Sequence, residues 1–198
     1  MCGGAVNGSV CGLKMNIWNT FCYGVFQILF ILDQSDNKYA KSIALLNDAL
    51  RKEIATSLQY MYFHVRLEDA GYEYLAKYMF KVSISEMHHA EHIAERILFL
   101  GGDADMNPCD PTRQLTDVGD MLQLAVKLET STVESYNAAA RESAAMGDTV
   151  TSRMFQDMAS EEEHHLDDFR TEMKNLQEYG ELYLTMQSVG RSKERAKG

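Results

Sequence analysis

From residue 39 onward, apolar side chains recur at spacings of three and four, the mark of helices with one buried face. Four stripes result. The first reads Leu46, Leu50, Glu53, Ser57, Tyr60, His64, Leu67, and the second Leu75, Met79, Val82, Glu86, His89, Ile93, Ile97, Leu100. The third reads Leu122, Val126, Glu129, Val133, Tyr136, Ala140, and the fourth Met154, Met158, Glu162, His165, Phe169, Met173, Leu176. Glycines punctuate them: Gly71, the Gly101-Gly102 pair, Gly147 and Gly180. The pattern predicts helices over 37–69, 72–100, 117–145 and 148–179, then a short amphipathic helix over 182–189. Thr116 or Asp117 caps the third and Asp148 the fourth. Residues 103–116 hold both prolines and form a long crossover, whereas the other links are short. The expected fold is all-α: a four-helix bundle with one long crossover and a short fifth C-terminal helix.

Each stripe is interrupted near its middle by a carboxylate, and two of them by a histidine one turn later. Four glutamates in an apolar interior are costly unless something neutralises them. Two divalent iron ions supply the balancing charge, with two neutral imidazoles completing the ligand shell. Glu-x-x-His at i, i+3 aims both donors from one helix face. One Glu from each of two helices plus Glu-x-x-His from each of the others is the di-iron carboxylate arrangement. The metal ligands expected are therefore Glu53, Glu86, His89, Glu129, Glu162 and His165, with Tyr60 on the Glu53 stripe placed to orient a bridging carboxylate.

Spacing tests that set. Glu129 follows Glu53, Glu162 follows Glu86, and His165 follows His89, each by 76 residues. Two hairpins thus repeat one ligand set about a pseudo-two-fold axis. The same offset decides between candidates in the run 161–165. Glu161 and His164 correspond to Ser85 and His88 and lie about 100° off the stripe, so both are expected to be dispensable for iron oxidation. His88 and His92 are off the stripe too and are expected at the surface.

A second apolar face appears on the first hairpin. Phe80, Ile84 and Met87 line the second helix, and Ile54, Leu58 and Met61 the first. Two apolar faces on one hairpin imply cover by another subunit. Met87 packs there, and its soft thioether could also serve as an axial haem ligand.

Net charge is −10, with a sequence pI near 5.0, which excludes nucleic acid as a partner and favours cations. A neutral leader and a tail at +3 leave −13 on the segment between them. Three of four cysteines (2, 11 and 22) precede that segment, and Cys109 is alone within it. This is neither a disulfide framework nor a zinc site, and it suits a reducing, cytoplasmic compartment. Residues 17–32 are mostly apolar but too short to span a membrane and lack a secretory cleavage pattern. Three readings of 1–35 stand: a start site assigned too far upstream, an atypical anchor or signal, or a packed extension. The expected division is an extension at 1–35, the di-iron domain at 36–190 and a basic tail at 191–198.

With these features in place, the chain resembles the bacterioferritins from about Tyr39 to Val189. The segments that carry the resemblance are LNDALRKEIATSLQY around Glu53, SEMHHAEHIAERILFL around Glu86 and His89, LETSTVESY around Glu129, and SEEEHHL around Glu162 and His165. The methionine after Glu86 is especially specific. The resemblance implies iron storage with ferroxidase activity, Fe(II) being oxidised by O₂ or peroxide and mineralised in a hollow shell of 24 subunits built from two-fold dimers. It implies the six residues above as ferroxidase ligands, with Glu86 and Glu129 bridging. It also implies Met87, paired with its two-fold mate, on one haem b or related iron porphyrin. The leader has no counterpart in the family, and Lys81 and Ser85 stand where some members carry an extra inner-surface iron site. Alternatives are a Dps-like twelve-subunit cage that detoxifies peroxide, and a membrane-associated scaffold that keeps the fold.

Overall fold

The structure is a computed structural model, described here for residues 37–195, with side chains described to 189. The expectations for residues 1–35 lie outside the described residues. Five helices account for the fold: α1 Ala40–Ala70, α2 Glu73–Phe99, α3 Val118–Ala145, α4 Thr149–Tyr179 and α5 Glu181–Arg195. All lie in a unit that begins at Lys41, apart from the first residue of α1.

Two boundaries differ from the sequence pattern. Asn37 forms a turn ahead of α1 instead of joining it: its side-chain oxygen accepts from Tyr39 N (2.8 Å) and its carbonyl from Ala40 N (2.9 Å). At the other end α5 continues to Arg195, through most of the expected tail. A single glycine at 190 costs a helix only about 1 kcal/mol and does not stop it without a proline nearby. Elsewhere the caps are as read. Asp117 accepts from Asp120 N at 3.0 Å and Asp148 from Thr151 N at 3.2 Å. Gly101 and Gly147 end their helices at φ +79° and +78°.

The stripes face the interior. Leu46, Leu50, Met79, Val82, Ile93, Ile97 and Leu122 are fully buried, and Tyr60 packs on Phe169 at 5.4 Å between ring centroids. Phe63 and Phe155 are equally buried although neither belongs to an expected stripe. A bundle helix buries three to four positions per two turns, wider than a single seam. Between α1 and α2 the contact is tight because the facing residues are small. Ser57 Oγ donates to Ser83 O (2.8 Å) and Ser83 Oγ to Ser57 O (3.0 Å).

The crossover is strapped along α1. Gln59 Nε2 donates to Arg113 O and Gln59 Oε1 accepts from Arg113 N, at 3.0 and 2.7 Å. Asn47 makes the same kind of two-way clamp on Asp103 and Asp105, and Cys109 N donates to Arg51 O. At one end of the bundle Arg96, near the end of α2, reaches Asp148 Oδ1 (2.8 Å) and Thr151 Oγ1 (3.0 Å) at the start of α4. These ties link α1 to α2 and to the crossover, and α2 to α4, and so help to set the aim of the polar residues at mid-bundle.

Candidate metal centre

Midway along the bundle the six expected ligands converge. Glu53, Glu86, His89, Glu129 and Glu162 are all buried, and His165 nearly so. His89 Nδ1 lies 2.9 Å from Glu162 Oε1, 3.2 Å from Glu86 Oε2 and 3.8 Å from Glu53 Oε2. His165 Nδ1 lies 3.1 Å from Glu86 Oε1 and 3.2 Å from Glu162 Oε2. Both rings thus point Nδ1 at the carboxylates. Each Glu-x-x-His pair works as one turn of helix should, with both side chains on the inward face.

Four clustered carboxylates distort one another's titration. Burial pushes Glu53 and Glu129 well above the usual carboxylate range, and the nearby Glu86 charge pushes them further. Burial acts on Glu162 in the same sense, but hydrogen bonds from His165 and His89 outweigh it and hold this carboxyl below its ordinary range. Burial opposes charge on the two imidazoles as well. Bonds to Glu162, Glu53 and Glu86 nevertheless carry His89 far above its usual value, and bonds to Glu162 and Glu86 push His165 up to about 9.

Hydrogen bonding leaves the cluster incomplete. Glu53 Oε1, Glu86 Oε1 and Glu162 Oε1 are buried without a well-aligned hydrogen bond, although an imidazole nitrogen stands 2.9 Å from Glu162 Oε1 and 3.1 Å from Glu86 Oε1. Orphaned buried carboxylate oxygens are costly. A divalent cation is the partner they suit, being hard, positive and able to take several oxygens with imidazole nitrogen. Two four-donor groups meet that need: Glu53, Glu86, His89 and Glu162 in one, and Glu86, Glu129, Glu162 and His165 in the other, with ligand atoms all within 4.8 Å of one another.

The groups share Glu86 and Glu162. Glu129 belongs to one group only, which corrects the expectation that it bridges with Glu86. The 76-residue repeat explains the outcome. It pairs Glu86 with Glu162 and Glu53 with Glu129, so residues shared by both halves must be a symmetry-related pair. Tyr60 reaches one of the two carboxylates expected to bridge: its hydroxyl donates to Glu129 Oε1, a residue that belongs to one four-donor group only. Tyr136, 76 residues later, is buried with its hydroxyl unpartnered.

One residue set aside in the sequence enters the site. Glu161 is exposed, as its register predicts, yet its Oε2 lies 3.0 Å from Nε2 of His89. His88, His92 and His164 are exposed as expected. On the outer face of the first hairpin, Leu58, Phe80, Ile84 and Met87 are exposed, Met87 by 45%. Ile54 is 8% exposed and packs into the core, so it does not belong to that strip. It follows Glu53 directly, and the buried arc of α1 is wide enough to take in both.

The ferritin-like domain family matches residues 43–179. The bacterioferritin of Brucella melitensis is 34% identical over 141 residues, covering 71% of this chain and 88% of that protein. The chain belongs to the bacterioferritin family. Among other bacterioferritins, that of Desulfovibrio desulfuricans is 32% identical over 75% of this chain and 83% of its own length. The X-ray structure of the D. desulfuricans bacterioferritin, which presents its diiron site in different catalytic states, superposes with a TM-score of 0.75. It is 32% identical and covers 78% of this chain and 90% of that one. The Rhodobacter capsulatus bacterioferritin, solved with a metal-free dinuclear site and heme iron in a crystallographic special position, gives a TM-score of 0.72. Its identity is 32%, over 75% of this chain and 93% of that one.

Proposed function

We propose that this bacterioferritin-family protein stores iron by acting as a ferroxidase, with Fe(II) as substrate at the buried centre and the ferric product mineralised inside a closed shell. The observation that carries this is the pair of overlapping four-donor groups sharing Glu86 and Glu162. Glu53 and His89 would hold one cation, Glu129 and His165 the other, and the two shared carboxylates would hold both. Each Fe(II) gives up one electron. A pair supplies the two electrons that, with two protons, take O₂ to H₂O₂, or H₂O₂ to two waters. Anionic ligands favour the more highly charged product ion, so the carboxylates bias the site toward oxidation.

Assembly and haem belong to the same proposal. The strip of Leu58, Phe80, Ile84 and Met87 would be covered by a second copy across a two-fold axis. Two Met87 sulfurs meeting there suit the two axial positions of a haem, the group that the R. capsulatus relative carries. Two-fold dimers would build the 24-subunit shell. Among the described residues no helix is long and apolar enough to cross a membrane, and a free Cys109 fits a reducing cytoplasm.

An anaerobic Fe(II) titration followed by O₂ tests the central claim. Two Fe(II) per chain should bind and give a rapid rise in the ferric–oxo absorption band, and Glu86→Ala should lose the rapid phase by at least about 100-fold. Equal rates in wild type and variant would sink it.

A further inference from the structure

We propose that Glu161 is a positioning residue that makes the two cation positions unequal, favouring the one built on His89. This rests on the metal-centre reading above and concerns how its two halves differ.

The starting point is a break in the internal repeat. Every ligand has a partner at 76 residues, but Glu161 corresponds to Ser85. His89 therefore has two kinds of carboxylate contact. Its Nδ1 faces Glu53, Glu86 and Glu162 inside the centre, and its Nε2 meets Glu161 Oε2 at 3.0 Å on the outside. Among the described residues, the carboxylates paired with His165 are Glu86 and Glu162, both through Nδ1. A serine hydroxyl at the symmetry-related position is too short to repeat what a glutamate does.

The chemistry of the contact follows from the two nitrogens of one ring. When Nε2–H donates to Glu161, the Nδ1 lone pair is left facing the centre, which is the tautomer a metal ligand needs. The bond also fixes the ring plane and makes the ligating nitrogen more basic. Among the described residues His165 has no such carboxylate on its outer nitrogen, and its polar contacts all lie on the Nδ1 side. Glu161 can serve because it is not itself in the shell. It stands on α4 at the edge of an open groove shared with His88, His92, Glu95 and Asp157, so its charge is solvated and carries no burial cost. The helix register that removes it from the interior stripe is what lets it reach across to the outer side of His89.

A Co(II) titration of the metal-free full-length protein, followed by the visible ligand-field bands, tests this without any turnover. The wild type should take up two Co(II) per chain in two resolved steps. Glu161→Ala should weaken the tighter step by about 10–100-fold, the range for loss of an outer carboxylate on a ligating histidine, and leave the other within about 2-fold. Glu161→Gln keeps an oxygen that can accept from Nε2–H and should recover most of that loss. Unchanged steps in Glu161→Ala, or equal weakening of both, would overturn the inference while two-cation uptake by the wild type preserved the metal centre. A wild type that takes up no Co(II) would overturn the metal centre and this inference together.

Discussion

Glu53 and Glu129 are held well above the carboxylate range, and both imidazoles above theirs, so the metal-free centre keeps protons where cations are to go. Two consequences follow. Loading two divalent cations near pH 7.5 should release at least two protons per chain, those of the His89 and His165 rings, and a pH-indicator dye in weak buffer would record them. The metal-free protein should also lose stability as pH rises. A raised pKa means the folded chain binds more protons than the unfolded one, so the His165 contribution is complete below about 6.5 and disappears as pH climbs through about 9. Thermal melts at pH 6 and 9 should show a fall for the metal-free protein and a smaller one once it is loaded. At this scale the sequence was informative where symmetry spoke: the repeat picked out all six residues that converge at mid-bundle, and it pairs Glu86 with Glu162, the two that both four-donor groups share. It set Glu161 aside as an off-stripe residue and did not reveal its contact with His89, nor the position at which Tyr60 meets Glu129. Both contacts join different helices, and their azimuths depend on inter-helix ties that no stripe encodes.

Among the elements, the junction of α2 with α4 illustrates how the bundle is indexed. Asp148 caps α4 and accepts from Arg96 near the end of α2, while Thr151 Oγ1 accepts from Arg96 and Thr151 donates from both its backbone N and its Oγ1 to Asp148. Burial would raise the Asp148 carboxyl, but bonds from Thr151 and the Arg96 charge hold it below its usual range. Its stabilising effect is therefore present at neutral pH and lost as acid protonates it. Asp148→Ala removes the cap and strands a mostly buried guanidinium. The metal-free protein should lose about 3 kcal/mol, visible as a lower denaturant midpoint without a change in slope. Helix existence and order were readable from stripes and glycines. The extension of α5 was not, because a lone glycine is a weak stop and the residues around it tolerate helix.

For the whole molecule the proposal turns on the exposed strip of Leu58, Phe80, Ile84 and Met87. Ile84→Lys would place a charge in a two-fold contact, and size exclusion should then show monomers or dimers in place of a shell. An intact shell would refute that interface. Met87→Leu keeps volume and apolarity, so it should still assemble. Haem added to the wild type should give a low-spin bis-thioether spectrum at one haem per dimer, and the variant should not. Should the two spectra match, Met87 is a packing residue only. The outer strip was legible as surplus apolar periodicity, although Ile54 was wrongly included because a stripe cannot say how wide the buried arc will be.

The sharing of Glu86 and Glu162 also bears on how the chain comes together. Each helical hairpin can form from local contacts, and each brings three donors of its own: Glu53, Glu86 and His89 from the first, Glu129, Glu162 and His165 from the second. Neither holds a complete group. As proposed, each cation would take three donors from one hairpin and a single carboxylate from the other, so a pair of ions would stitch the halves together in both directions. Joining the hairpins without cations forces four carboxylates into one dry space, where protons are the only relief. If iron binds as proposed, iron supply and folding would be coupled. The protein would be firmest when it has cargo to process, and a chain made in iron-poor conditions would have the weaker seam along its own symmetry axis.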